Sequence, residues 1–374
     1  MFRFELIHQS SKSHARVGRI HTPHGVIDTP SFVPVGTHAC IKSLTPSQVD
    51  NLDIPLMFCN TYHLILHPGT EVVSKLGGLH SMMNRHAPII TDSGGFQVFS
   101  LAYGSVANEL KSSGKKSSVS SVLKVSEEGV AFRSYRDGER IKLTPESSVQ
   151  AQKLLGADII IPLDELPPFH ISDKALMSSF DRTHRWQTRS LDEHLKNTQN
   201  QAMYAVIHGG VNEKLRVAST QMLANQAFDG MALGGSLGKN TDDLQSILTM
   251  VSPHLPPERP RHLLGIGDEK GIRCGVEMGM DTFDSSYPTR AARHGVLLLR
   301  SGSIKIIKTA YHSDLSPIEE GCSCQVCTSV TRAYVHHLFK AKELTAYTLA
   351  TIHNLHVMKL RMFDFRNKIL ENTI

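Results

Sequence analysis

The 374-residue chain has no apolar run of the roughly 18 to 20 residues that a membrane-spanning helix needs, so no segment is expected to cross a bilayer. Its N-terminus, MFRFELIHQS, has neither the long apolar core nor the small-residue cleavage site of a secretory leader, and a cytoplasmic location is expected. Nor is there a strong charge excess. Against 35 acidic side chains stand 40 basic ones, a net +5 with 21 histidines besides, which is compatible with a polyanionic partner without requiring one. No Gly-x-Gly-x-x-Gly element opens a helix after the first strand, which argues against a dinucleotide-binding sheet. The His-x-His pair that a metal-dependent barrel hydrolase needs at an early strand end is missing too. Cysteines number six, and Cys40, Cys59 and Cys274 are scattered. The other three, Cys322, Cys324 and Cys327, crowd together, and in a reducing compartment such a crowd points to a metal and not to disulfides.

What is present is an ordinary globular composition, 40% hydrophobic and 20% charged, in a chain of the length of one large α/β domain with an appendage. Short apolar runs end abruptly in polar residues or glycine, and each is followed by a helix-compatible stretch. The runs are PLMFCNTYH from Pro55, PIITDSGG from Pro88, ADIIIPLDE from Ala157, AMYAVIHGG from Ala202, GMALGGS from Gly230, RHLLGIGD from Arg261 and MDTFDSSYP from Met280. Near-continuous apolar strands are buried on both faces, as parallel strands are. An eighth strand is available at Ser31 to Val35 or at Leu297 to Arg300. The pattern predicts a (β/α)8 TIM barrel over residues 1–312 and a zinc-binding subdomain over 313–374. The chemistry of a barrel lies at the C-terminal ends of its strands, here Asn60, Asp92, Asp164, Glu165, His208, Gly234, Gly235, Asp268 and Asp284.

Two regions break the rhythm. Residues 105–121, containing SSGKKSSVSS, read as a flexible surface insertion on the side of the expected site. From Thr345 to Asn372 there is no Gly or Pro, and Ile352, Leu355, Met358, Met362, Phe365 and Ile369 recur at helical spacing, so an amphipathic helix closes the chain. Just before it, CSCQVC places three thiols where one loop can aim them at a single ion. Tetrahedral zinc needs a fourth ligand, and the chain offers His336, His337, His353 and His356. A ligand at His353 would tie the closing helix to the loop. Three cysteines and one histidine leave no open position, so such a zinc is structural.

Within TDSGGFQVF, Asp92 ends a strand, Gly94 and Gly95 let a ligand approach the backbone, and Phe96 can stack on a planar group. Asp284 ends a later strand, and a closed barrel brings distant strand ends to one mouth. Two carboxylates across a glycosidic carbon are the equipment of retaining glycosyl transfer, one attacking C1′ and the other moving protons. Asp164 and Glu165 suit the N–H edge of a purine-like base, and amides near Gly234 and Gly235 suit its carbonyl oxygen. Arg290 and Arg293, close behind Asp284, suit the phosphates of a polynucleotide.

Taken together, TDSGGFQ, PLDE, the glycines at 234 and 235, FDSSYPTRAARHG, CNTYHL, TRAYVHHL, and CSCQVC with its downstream histidine resemble the tRNA-guanine transglycosylases from about Phe4 to Ile369. The resemblance implies a barrel with a structural zinc subdomain. It also implies exchange of the wobble guanine in the anticodons of Asp, Asn, His and Tyr tRNAs for a free 7-deazaguanine base, as in queuosine formation. By that likeness Asp284 is the nucleophile and Asp92 the general acid/base. Ser93, Gly94, Gly95, Phe96, Asp164, His208, Gly235 and Leu264 hold the base. The segment Gly265, Ile266, Gly267, Asp268, Glu269, Lys270, Gly271 and the segment Thr289, Arg290, Ala291, Ala292, Arg293 contact RNA. Cys322, Cys324, Cys327 and His353 bind one zinc, and bacterial members are homodimers. The alternative is a zinc-bearing tRNA-binding subunit without chemistry, against which both aspartates stand.

The chain departs from the bacterial pattern in the pocket. His208 stands where glutamine is usual, and DEC becomes Asp164-Glu165-Leu166. The stretch that reads GGLAVGE in bacterial members becomes Gly234 to Lys239, with lysine replacing a glutamate that helps fix a loop carbonyl onto 7-aminomethyl-7-deazaguanine. That remodelling suggests the bulkier base queuine.

Overall fold

The computed structural model describes residues 2–102, 122–167 and 171–374; the expected insertion at 105–121 lies outside the described residues. Eight strands form one sheet: Ser31–Pro34, Met57–Cys59, Ile89–Thr91, Ile159–Ile160, Ala202–Ile207, Gly230–Leu233, Arg261–Leu263 and Thr282–Ser285. Every pairing is parallel, each strand beside its neighbour in the sequence, and the last returns to the first through Asp284 opposite Val33. A parallel bridge from Val35 to Phe58, with the Gly36 amide donating to Phe58 O at 2.7 Å, shuts the remaining gap. The TIM barrel is therefore closed. All seven apolar runs are barrel strands, and the eighth is the one at Ser31. Residues Val296–Leu298 instead form a separate antiparallel ribbon with Ser303–Lys305, because Ser301 and Gly302 turn the chain straight back.

Alternation along the strands sorts the side chains into two layers. Val33, Phe58, Ile90, Ile159, Ile161, Tyr204, Val206 and Ala232 pack inside the barrel, while Phe32, Met57, Ile89, Met203, Ala205, Met231 and Phe283 pack under the surrounding helices. At its N-terminal end the interior is plugged by an antiparallel sheet of Arg3–Gln9, Arg16–Thr22 and Gly25–Thr29, whose Ile20 and Ile27 join the interior cluster. A clamp built on the buried Asp158 fastens this plug. Asp158 accepts from His24 Nδ1 at 2.8 Å and from the Ile89 amide at 2.9 Å, and it lies 3.2 Å from His80 Nε2. Burial alone pushes the Asp158 carboxyl up, but these partners hold it below its usual range.

Chain closure comes from the 26-residue helix Thr345–Leu370. Ile352, Leu355, Met358, Met362, Phe365 and Ile369 are all buried, as their spacing predicts. Asn354 fixes the helix to the barrel by accepting from the Leu298 amide and donating to Pro288 O and Val296 O. Among the described residues no helix is long and apolar enough to cross a membrane.

Candidate active site

The two carboxylates end different strands on the same mouth. Asp92 follows Ile89–Thr91 and is 7% exposed; Asp284 lies in Thr282–Ser285 and is 8% exposed. Asp92 sits in a cage of donors. Its Oδ2 accepts from Asn60 Nδ2 and Gln97 Nε2, each at 2.7 Å, and its Oδ1 from the amides of Thr61 at 2.8 Å and Gly94 at 3.2 Å. Burial outweighs these bonds and pushes the carboxyl up to about 6. A carboxyl placed there holds a proton in a useful fraction of molecules near neutrality and releases it easily.

Asp284 is held differently. Its Oδ1 accepts from the Gly265 amide at 2.9 Å and lies 3.2 Å from His262 Nε2. His262 is buried inside the barrel, with Nδ1 2.8 Å from Thr282 Oγ1. The partners of Asp284 thus fix one oxygen.

Between the carboxylates the strand ends form a continuous row of contacts. Ser93 Oγ donates to Asp164 Oδ1 at 3.4 Å, and Asp164 Oδ2 lies 2.8 Å from His208 Nε2. A Cβ on Gly235 would stand 3.0 Å from His208 Nδ1, and one on Gly234 would stand 3.1 Å from Leu264 Cδ1. Next to Leu264 comes Gly265, the donor to Asp284. Gly95 lies so close to the Asp164 carbonyl that a Cβ would meet it at 2.8 Å, and Gly94 has φ +84°, so both positions need glycine. Phe96 is 42% exposed beside them, although its neighbours Gly95 and Gln97 are buried. An exposed ring on a buried turn is available for stacking.

Other expected residues have different surroundings. The Glu165 carboxylate pairs with Arg182 at 2.8 Å. Asp268 caps the helix Glu269–Glu277 by accepting from the Gly271 amide at 2.9 Å. In the expected RNA segments Gly265, Asp268, Lys270 and Arg290 are exposed, Ile266, Glu269 and Arg293 are half-buried, and Gly267, Gly271, Thr289, Ala291 and Ala292 are buried. Sequence reasoning missed Gln97, Thr61 and His262 as partners of the two aspartates. Gln97 lies within TDSGGFQ, one helical turn past the glycines, and its spacing was a usable signal. No local signal marks His262.

The thiols of Cys322, Cys324 and Cys327 and a ring nitrogen of His353 all lie within 4.8 Å of one another. His353 Nδ1 is 3.5 Å from Cys324 Sγ and 3.4 Å from Cys327 Sγ. Metal bonds of about 2.3 Å to sulfur and about 2.1 Å to nitrogen in a tetrahedron separate such donors by roughly 3.5 Å, so the residues fit an ion. His353 Nε2 donates to Leu298 O at 2.7 Å, which leaves Nδ1 as the nitrogen facing the thiols. His336 is instead engaged with Ile306 O at 2.7 Å.

A closed barrel with two buried carboxylates at its mouth and, outside it, a Cys3His cluster fit to hold a metal ion defines a barrel enzyme with a separate candidate metal site. The family model described as "Queuine tRNA-ribosyltransferase" matches residues 10–374. Curated relatives with that same name are similar over the whole chain. The protein of Protochlamydia amoebophila (strain UWE25) is 59% identical, covering 100% of this chain and 96% of its own. That of Chlamydia muridarum (strain MoPn / Nigg) is 56% identical and that of Chlamydia caviae 55%, each covering 100% of this chain and 99% of the relative. The chain belongs to the queuine tRNA-ribosyltransferase family and is a pentosyltransferase.

Proposed function

We propose that the enzyme exchanges the wobble guanine of Asp, Asn, His and Tyr tRNAs for a 7-deazaguanine base through a covalent aspartyl-ribose intermediate, in queuosine formation. The observation that carries this reading is the contact row from Ser93 through Asp164, His208, Gly235 and Leu264 to Gly265, with a buried carboxylate at each end. An Asp284 carboxylate oxygen bonds to C1′ as the bond from C1′ to guanine breaks, and the departing base takes a proton from Asp92. The incoming base then gives its glycosidic N–H proton to the Asp92 carboxylate, and its nitrogen displaces Asp284 from C1′. Two displacements at one carbon give net retention, and the proton count is unchanged. Asp164 accepts from the N–H edge of the base, and Phe96 stacks on its face. Arg290, Arg293 and Lys270 bind phosphates. Residues 313–374 act as a subdomain around one structural zinc, the chain works as a homodimer, and its setting is the cytoplasm.

We assign queuine as the incoming base. The support is the stretch Gly234 to Lys239, where lysine stands in place of the glutamate that helps fix a loop carbonyl onto the aminomethyl base in bacterial members, and where the Gly234 and Ser236 carbonyls accept from Arg216 at 3.0 and 2.8 Å. Exchange of queuine and of 7-aminomethyl-7-deazaguanine into an Asp-specific tRNA tests the assignment. Queuine is expected to be incorporated with the higher kcat/KM; exclusive use of the aminomethyl base refutes it.

The Asp92 carboxyl, pushed up to about 6, predicts a pH dependence. Protonating the departing guanine needs the acid form of Asp92 and deprotonating the incoming base needs its carboxylate, so exchange measured at saturating tRNA should peak near pH 6 and fall on both sides. A profile flat down to pH 4.5 would remove Asp92 from those roles.

A further inference from the structure

We infer that Arg216 is a positioning residue that turns the Gly235 amide into the base pocket and so sets recognition of the 6-oxo group. The inference rests on the proposed reading of that pocket as the base site. Arg216 lies on the helix Glu213–Ala224, is 0% exposed, and among the described residues pairs with no carboxylate. Its guanidinium spends its donors on carbonyls. Nε donates to Gly210 O at 2.7 Å, Nη1 to Ile207 O at 2.7 Å and Gly234 O at 3.0 Å, and Nη2 to Ser236 O at 2.8 Å. These carbonyls belong to the two loops that carry His208 and Gly235. One planar fork therefore fixes peptide planes in both loops at once.

The consequence follows from peptide geometry. The bond between Gly234 and Gly235 is trans, so its C=O and N–H point in opposite directions. With Gly234 O pulled onto Arg216, the Gly235 N–H points away from the helix. Among the described residues nothing accepts from this amide. Gly235 lies against the imidazole of His208, whose far nitrogen holds Asp164, and its φ of +71° belongs to the left-handed region. A base whose N–H edge faces Asp164 brings its 6-oxo group to that amide. An N–H turned toward a ligand site with no acceptor from the protein is a donor in want of one. Lysine at 216 would offer one ammonium in place of the fork and could not hold both loops.

The test compares guanine with 6-thioguanine, which keeps both N–H donors and replaces the carbonyl by a poor acceptor, as competitors of labelled-guanine exchange. In the unaltered enzyme guanine should bind roughly tenfold more tightly. In Arg216→Lys that preference should shrink toward unity through weaker guanine binding, with KM for tRNA unchanged. Equal weakening of both bases would reduce Arg216 to a fold-stabilising role and overturn the inference. Should Arg216→Lys fail to fold, glycolic acid incorporated at position 235 deletes the single N–H and must erase the same preference; its retention overturns the inference as well. Absence of any guanine exchange by the unaltered enzyme would sink the proposed function itself, a distinct outcome.

Discussion

Asp284→Asn abolishes guanine exchange, lowering kcat by at least about 10⁴-fold while leaving tRNA binding within about threefold. Asparagine has nearly the same volume and still presents an oxygen to the Gly265 amide, which donates to Asp284 at 2.9 Å. It keeps the shape of the mouth and loses only the anion proposed to form the bond to C1′. An amide oxygen is too weak a nucleophile to replace it. The remaining machinery, Asp92 in its donor cage and the row from Ser93 to Leu264, stays in place to bind substrate without turning it over. Single-turnover exchange and a filter-binding isotherm on the same preparation separate the two quantities. Residual exchange at a tenth of the normal rate would mean that Asp284 is only an electrostatic partner. Loss of binding together with rate would mean that it shapes the mouth.

The second large effect is on stability. Replacing Cys324 by serine, or stripping the metal with a chelator, should lower the melting temperature by on the order of 10 °C, several kcal/mol for a chain of this size. Cys322 and Cys324 are buried, and His353 is fully buried on the closing helix, so losing an ion held there would leave thiols packed against an imidazole with nothing to hold them. That helix also carries Asn354, bonded to Pro288 O directly behind the Asp284 strand end. Loosening it should reduce exchange indirectly. Differential scanning calorimetry with and without chelator, followed by zinc readdition, checks the prediction. An unchanged melting temperature, with metal loss confirmed by atomic absorption, would show that the cluster holds no structural ion.

How much of this was legible in the sequence depended on whether the signal was local. The barrel strands were readable because strands buried on both faces become short apolar runs, and the polar residue ending each run marked the site. The cysteine cluster was readable because three thiols within six residues can converge on one ion without help from the rest of the fold. The closing helix betrayed itself by its period. What stayed hidden was long-range. His262 reaches Asp284 only because neighbouring strands put residues 22 positions apart side by side. Arg216 looks like one more basic residue on an amphipathic helix, and nothing nearby in the sequence says that its partners are carbonyls of two different loops. Glu165 follows a strand end just as Asp164 does, and its pairing with Arg182 was likewise invisible in the sequence.

The most direct measurement is peptide mapping by mass spectrometry of the denatured complex formed from enzyme and a wobble-guanine tRNA. The account predicts a ribose-linked RNA adduct on the peptide containing Asp284, with guanine released in equal amount. An adduct on the peptide containing Asp92, or turnover with no adduct at any time point, would contradict it.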